Sequence, residues 1–311
     1  MSAAPTAPDL RLAMIGMDTS HCVEFTARLN QPEHPEYVPG ARVVKALRSF
    51  SDDIPMSCDR VAGFESRVRH EFGVDLASSF EEVLQDIDGV LILTLDGRPH
   101  LSQVKAALAA GKPVFLDKPV AASLSDVFEV FRAADEAGVP LFSASALRWH
   151  PDVVRVAQKD AGEVLGAISC GPSHVLEHHP DLYFYGIHPT EVLFTFLGQG
   201  CQEVTFTKGK YSSVAVGRWH NGQLGTLHAI HEGAHVYRFT KLGRQLISEG
   251  LGGIDYTPLV RQLVTFFQTG IPPVSPEQTM EIYAFMEAAN QSARNGGAAV
   301  ELDEVCRAVT K

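Results

Sequence analysis

Apolar positions in the first half of the chain fall in short continuous runs separated by amphipathic stretches. The order is LRLAMIGM, a helix-like segment from His21 to Asn30, ARVVKAL, EFGVDL with FEEVLQDI, and DGVLILTL. LSQVKAALAAGK, closed by Gly111, PVFLDKP, LSDVFEVFRAADEAGV, closed by Gly138, and PLFSAS carry the alternation to about residue 148. Short apolar runs bounded by turn residues read as strands buried on both faces, and the 3.6-period stretches between them read as helices. This βαβ rhythm predicts a doubly wound parallel sheet with right-handed crossovers.

Beyond Trp149 the pattern shifts to AISCGPSHV, EVTFT, SSVAVGRW, QLGTLHAIHE and AHVYRFT, strand-like runs joined by short polar turns. They predict a mostly antiparallel open sheet. HPTEVLFTFLG interrupts them as a helix, and LVRQLVTFFQTG and PEQTMEIYAFMEAANQSARNG follow as two more. The expected organisation is an α/β chain with a Rossmann-type domain over 1–148 and an α+β domain over 149–311. SFSDDIPMSCDR, from Ser49 to Arg60, is polar and broken by proline, and is expected to be a loop over the mouth of the first sheet.

With 311 residues, 45% of them hydrophobic and 20% charged, the chain has material for two cores. The stretch MSAAPTAPDL lacks a basic segment followed by an apolar one, and no apolar run approaches the roughly 20 residues of a membrane span. A cytoplasmic protein with no membrane partner is the expectation. Five scattered cysteines form no C-x-x-C pair and read as buried reduced thiols. A net charge of −11, with no basic run, argues against a nucleic-acid partner.

In a Rossmann unit the turn after the first strand brings backbone N–H groups at a helix N-terminus to a pyrophosphate, which is why glycines recur there. Here the turn is Gly16-Met17-Asp18-Thr19-Ser20-His21. Gly16 matches the G-x-G-x-x-G pattern, but Asp18 and His21 replace the other glycines, and Asp18 adds negative charge beside the expected phosphates. Thr19, Ser20 and a protonated His21 could donate to phosphate; in a second reading Asp18, Thr19 or Ser20 only caps the helix. At the end of the second strand, where an acidic residue usually holds the adenosine ribose, Arg48 and Ser49 stand instead, a pair suited to a 2′-phosphate. NADP is therefore preferred to NAD as the dinucleotide.

Thr94 to His100 (TLDGRPH), ALAAGKPVFLDKPVA, ALRWHP and the ending EAANQSARNGGAAVEL together resemble the Gfo/Idh/MocA family of NAD(P)-dependent sugar and polyol oxidoreductases. The family's E-K-P tripeptide appears as Asp117-Lys118-Pro119. The resemblance implies that Lys118 lies between nicotinamide and substrate and stabilises the developing alkoxide, with Thr94 and His100 near the cofactor. The second family signature, an Asp four residues before a His, appears as Phe184 to His188. His188 is the expected general base, and Phe184 cannot orient it as a carboxylate would; Tyr183, Tyr185 or Asp181 are the substitutes considered.

Arg148, His150, His178, His179 and Tyr185 are candidates for contacting substrate oxygens. The run His174 to His179 also fits H-x-x-E-H, the zinc motif of inverted peptidases, which requires a helix. Pro172 and Pro180 bracket it, and in a strand its i and i+4 side chains would stand about 13 Å apart, so no metal is expected. The leading expectation is hydride transfer between NAD(P) and a secondary alcohol carbon of a sugar-like small molecule. A non-redox lyase, isomerase or cyclase on the same scaffold, or a ligand-binding protein, is the alternative. The resemblance further implies a homodimer or homotetramer formed through the antiparallel sheet.

Overall fold

A computed structural model describes residues 9–310, so most of the stretch MSAAPTAPDL lies outside the described residues. By contact the chain divides into two compact units. The first takes the chain up to Val120, Val130–Ser143 and Tyr256–Pro273; the second takes Ala121–Glu129, Ala144–Asp255 and the chain from Val274. By contact the chain therefore passes between the units several times along its length.

The first half runs β1 (Leu10–Ile15), α1 (His21–Asn30), β2 (Ala41–Leu47), α2 (Pro55–His70), β3 (Asp75–Ala77), α3 (Phe80–Val83), β4 (Gly89–Ile92), α4 (His100–Ala109), β5 (Val114–Leu116), α5 (Leu124–Ala137) and β6 (Leu141–Phe142). The six strands form a parallel sheet in the order β3-β2-β1-β4-β5-β6, so the winding reverses between β1 and β4. Leu12, Met14 and Ile15 of β1 and Val90, Leu91 and Ile92 of β4 are fully buried, which is why these strands read as unbroken apolar runs.

The expected loop from Ser49 to Arg60 is in part a helix. Pro55 occupies the first turn of α2, where its missing N–H costs nothing. Ile54, Ser57, Val61 and Val68 supply a narrow buried stripe at helical spacing on an otherwise polar segment. Only the residues before Pro55 remain a connection.

The second half contributes a 3₁₀ turn at Ala146–Trp149, α6 (Pro151–Gln158), β7 (Val164–Pro172), α7 (Ile187–Leu197), β8 (Cys201–Lys208), β9 (Ser212–Trp219), β10 (Leu224–Ile230), β11 (Tyr237–Gly243), β12 (Ile247–Gly252), α8 (Thr257–Thr269), α9 (Pro276–Arg294), β13 (Val300–Glu301) and α10 (Leu302–Val309). Its seven-stranded sheet has the order β12-β11-β7-β10-β9-β8-β13, antiparallel except for the parallel pair β7 and β10. Ala167, Ser169 and Gly171 of β7 point to a buried face, and a Cβ at Gly171 would meet Pro189 of α7 and the ring of Tyr237. On the opposite face, register aligns Ile168, Leu224, Ile247 and Leu251, each at least 41% exposed.

Helix α8 belongs to the first unit, where Phe266 packs 4.8 Å from the ring of Phe142. Phe267 lies against Gly89, where a Cβ would approach its ring to 2.4 Å. Cys22 and Cys201 are buried, whereas Cys58, Cys170 and Cys306 are partly exposed; the expectation of five buried thiols holds for two. Among the described residues no helix is long and apolar enough to cross a membrane.

Candidate active site

Each unit carries one cluster of the residues singled out by sequence. In the first, the turn after β1 is set by Gly16, whose φ of +95° suits glycine and whose added Cβ would lie 2.5 Å from the backbone nitrogen of Thr94. Asp18 does not face outward. It is fully buried, accepting from the Leu95 N–H at 3.0 Å and the Ser57 hydroxyl at 2.6 Å. Burial pushes its carboxyl up to about 6 against the pull of those two donors.

Nor do the turn side chains cap α1. Ser20 sits at the cap position without a side-chain bond, and Thr19 donates its hydroxyl to the Leu93 carbonyl at 3.3 Å. Among the described residues the backbone N–H groups of Thr19 and Ser20 donate to no protein acceptor, which leaves two open donors at the start of a helix. That chemistry fits the phosphates of a dinucleotide.

His21 turns to the signature tripeptide. Its Nδ1 lies 2.5 Å from Asp117, and its ring stacks on Phe25 and meets Tyr256 edge-on. Asp117 is 1% exposed, and its second oxygen accepts the Lys118 N–H at 2.9 Å. Burial works to raise the Asp117 carboxyl, but facing His21 and Lys118 outweigh it and hold it below its usual range. Burial also pulls the Lys118 ammonium down, opposed by Asp117 and reinforced by Arg60.

The other expected cofactor residues are braced within the same unit. Buried His100 reaches the carbonyls of Thr94 and Val120 with its two ring nitrogens, and Thr94 donates to Gln103, which donates to Ser49. Arg48 is paired with Glu65 of α2 at 3.0 Å and covers the ring of Phe50. Arg98 joins Asp96 to Asp53, and Asp96 accepts from Ser51, so the connection after β2 is fastened to the loop after β4.

In the second unit His188 occupies the first turn of α7 and is 5% exposed. Its Nδ1 lies 2.6 Å from the Ser145 hydroxyl, and its ring meets those of Tyr185 and Tyr237 edge-on. Ser145 is held in turn by Glu191, which accepts its N–H at 2.8 Å. The other Glu191 oxygen accepts from Arg148 at 2.9 Å, and Arg148 Nη2 is buried without a hydrogen-bond partner. Burial raises the Glu191 carboxyl, with Arg148 and the Ser145 N–H opposing.

Of the expected substitutes for an aspartate at 184, Asp181 pairs with Lys208, and buried Tyr183 meets Tyr283 edge-on. Phe184 is buried 4.9 Å from the ring of Tyr185. His150 caps α6 by accepting the Asp152 N–H. The H-x-x-E-H run lies outside any helix or strand: His174 Nε2 meets His235 Nε2, His179 bonds the Glu177 carbonyl, and His178 is 43% exposed on its side chain. The second cluster thus unites Tyr185, His188 and Arg148, leaving His150 in a cap. Ser145 and Glu191 were not singled out by sequence, although an acid three residues after His188 inside the apolar helix IHPTEVLFTFL is a signal for Glu191.

The family model described as "Oxidoreductase family, NAD-binding Rossmann fold" (GFO_IDH_MocA) matches residues 40–145. D-xylose 1-dehydrogenase (NADP(+)) 2 of Haloferax volcanii is 32% identical over 142 residues, 45% of this chain and 43% of the relative. Inositol 2-dehydrogenase of Paracoccus denitrificans is 28% identical over 144 residues, 46% and 39% of the two chains. The chain thus spans less than half the length of these curated relatives. The structures of GenD2 from gentamicin A biosynthesis in complex with NAD and of myo-inositol 2-dehydrogenase from Lactobacillus plantarum share the fold. The first has a TM-score of 0.75 at 18% identity, covering 97% of this chain and 98% of its own; the second 0.76 at 16%, covering 94% and 99%.

Proposed function

We propose, from the match of residues 40–145 to the Gfo/Idh/MocA oxidoreductase family model, that the protein is a cytoplasmic NAD(P)-dependent dehydrogenase or reductase. Its substrate is a secondary alcohol or ketone of a sugar- or polyol-like small molecule. The observation that carries this reading is Lys118, which follows the carboxyl end of β5 and is seated by Asp117. Open α/β sheets bind their ligands at that end of the strands. The names of the xylose and inositol dehydrogenase relatives support the substrate class.

Nicotinamide, when bound, supplies the hydride acceptor or donor. Lys118 is the first unit's group for stabilising negative charge on a substrate oxygen, and His188 is the second unit's group for exchanging a proton with substrate. Tyr185, His178, His179 and Arg148, through its unpartnered Nη2, are the second unit's groups for further substrate oxygens. The Thr19 and Ser20 N–H groups serve the pyrophosphate. Arg48 with Ser49 serves a 2′-phosphate, which favours NADP, provided Arg48 leaves Glu65. The exposed face with Ile168, Leu224, Ile247 and Leu251 is the surface for a second copy of the chain.

The test is fluorescence titration of the purified protein with NADPH and NADH, with the supernatant of a denatured sample assayed for retained nucleotide. Micromolar NADPH binding that weakens in Arg48→Asp is expected. No binding together with no retained nucleotide overturns the proposal.

A further inference from the structure

Ser145 is 1% exposed, and among the described residues its hydroxyl has two neighbours. The Leu147 N–H donates into Oγ at 3.1 Å, a bond whose direction is fixed because a backbone N–H only donates. The other neighbour is His188 Nδ1 at 2.6 Å. A hydroxyl has one hydrogen and two acceptor sites, and Leu147 takes one of those sites. If Nδ1–H also donated to Oγ, the hydroxyl hydrogen would be left in a buried place without an acceptor, an arrangement folded proteins avoid. The satisfied arrangement has the Ser145 hydroxyl donating to a bare Nδ1.

A neutral imidazole with a bare Nδ1 carries its proton on Nε2. We infer that Ser145 is a positioning residue that fixes His188 as an Nε2–H hydrogen-bond donor, so that the imidazole offers a proton to a carbonyl or alkoxide oxygen of substrate and is not the base. A carboxylate on Nδ1 has the opposite effect: it can only accept, so it requires Nδ1–H and leaves the Nε2 lone pair for proton abstraction. Phe184 stands where such a carboxylate was expected, and a hydroxyl already accepting from Leu147 has taken Nδ1. Glu191 keeps the hydroxyl in place by holding the Ser145 N–H, and Arg148 holds Glu191. Neutral His188 is thereby an electrophile, a role imidazole can fill without becoming imidazolium.

The inference rests on the reading that His188 meets substrate, but its test needs neither substrate nor nucleotide. Long-range ¹H–¹⁵N spectra of the full-length labelled protein at pH 8 report which ring nitrogen carries hydrogen, with the His188 signals assigned from a His188→Gln sample. The proton is expected on Nε2; a proton on Nδ1 overturns the inference whatever the nucleotide titration gives. A second readout is the titration of His188. A donor to the neutral ring opposes protonation, so Ser145→Ala is expected to move the His188 titration to higher pH, and Ser145→Thr to keep the wild-type value. A shift to lower pH, or none, overturns the assignment, and far-UV circular dichroism confirms that each variant is folded.

Discussion

Asp18→Asn changes one oxygen to an amide at a fully buried position and should stabilise the first unit in a pH-dependent way. The wild-type carboxyl climbs from an ordinary 3.8 to about 6 on folding. Between those values the folded state holds a proton that the unfolded state has released, so stability falls as pH rises through this window and the whole penalty remains above it. Its size is about 3 kcal/mol at neutral pH, at 1.36 kcal/mol for each tenfold change in proton affinity. Asparagine keeps an acceptor for the Leu95 N–H and carries no charge to desolvate. The gain should be near zero at pH 4, grow through pH 5 and level off above pH 7 at no more than about 3 kcal/mol.

Both tryptophans, Trp149 and Trp219, belong to the second unit, so their fluorescence is a poor probe of this change. Hydrogen exchange of peptides covering β1 and β4, read by mass spectrometry from pH 5 to 8, follows the affected strands directly. Equal wild-type and variant protection across that range, or a variant less stable at pH 8 than at pH 5 relative to wild type, would refute the reasoning.

Arg148→Met leaves the Glu191 carboxylate buried without its cation and should cost about 3–5 kcal/mol in urea unfolding followed by tryptophan fluorescence; Arg148→Met with Glu191→Leu should recover most of that loss, and a single variant of wild-type stability would dismiss the pair. Glu65→Gln releases Arg48 from an exposed ion pair worth up to about 1 kcal/mol, so NADPH affinity should rise about fivefold with NADH affinity unchanged; an unaltered ratio in paired titrations would mean that Arg48 does not serve the 2′-phosphate. Ile247→Lys places a charge at a position 63% exposed on the open sheet face, and light scattering should show a lower oligomer mass, an unchanged mass removing that face from the assembly.

The parallel sheet was legible because β1 and β4 are buried on both faces and so carry little but apolar residues. Helix α2 was hidden because its buried stripe is one residue wide, and Pro55, a helix starter, reads equally as a breaker. The order of the second sheet depends on pairings such as β7 with β10, separated by two other strands and a helix, which no local pattern encodes. At the site, Lys118 and His188 stood out through the resemblance to the family's two signature motifs. The destination of Asp18 did not, since its partners Ser57 and Leu95 lie 39 and 77 residues away. Ser145 was equally silent: a serine before ALRWHP carries no sign that it will meet a histidine 43 residues on.

The clasp of Asp18 on Ser57 and Leu95 has a thermodynamic consequence. A turn built of glycines is free before its ligand arrives and loses that freedom on binding. Here the turn between β1 and α1 is already held through Asp18 by the Ser57 hydroxyl of α2 and the Leu95 backbone N–H beyond β4, so its ordering entropy is lost during folding. Recognition at this turn then draws on a rigid cradle, with affinity governed by how well its donors match the ligand and little by the disorder they must quench.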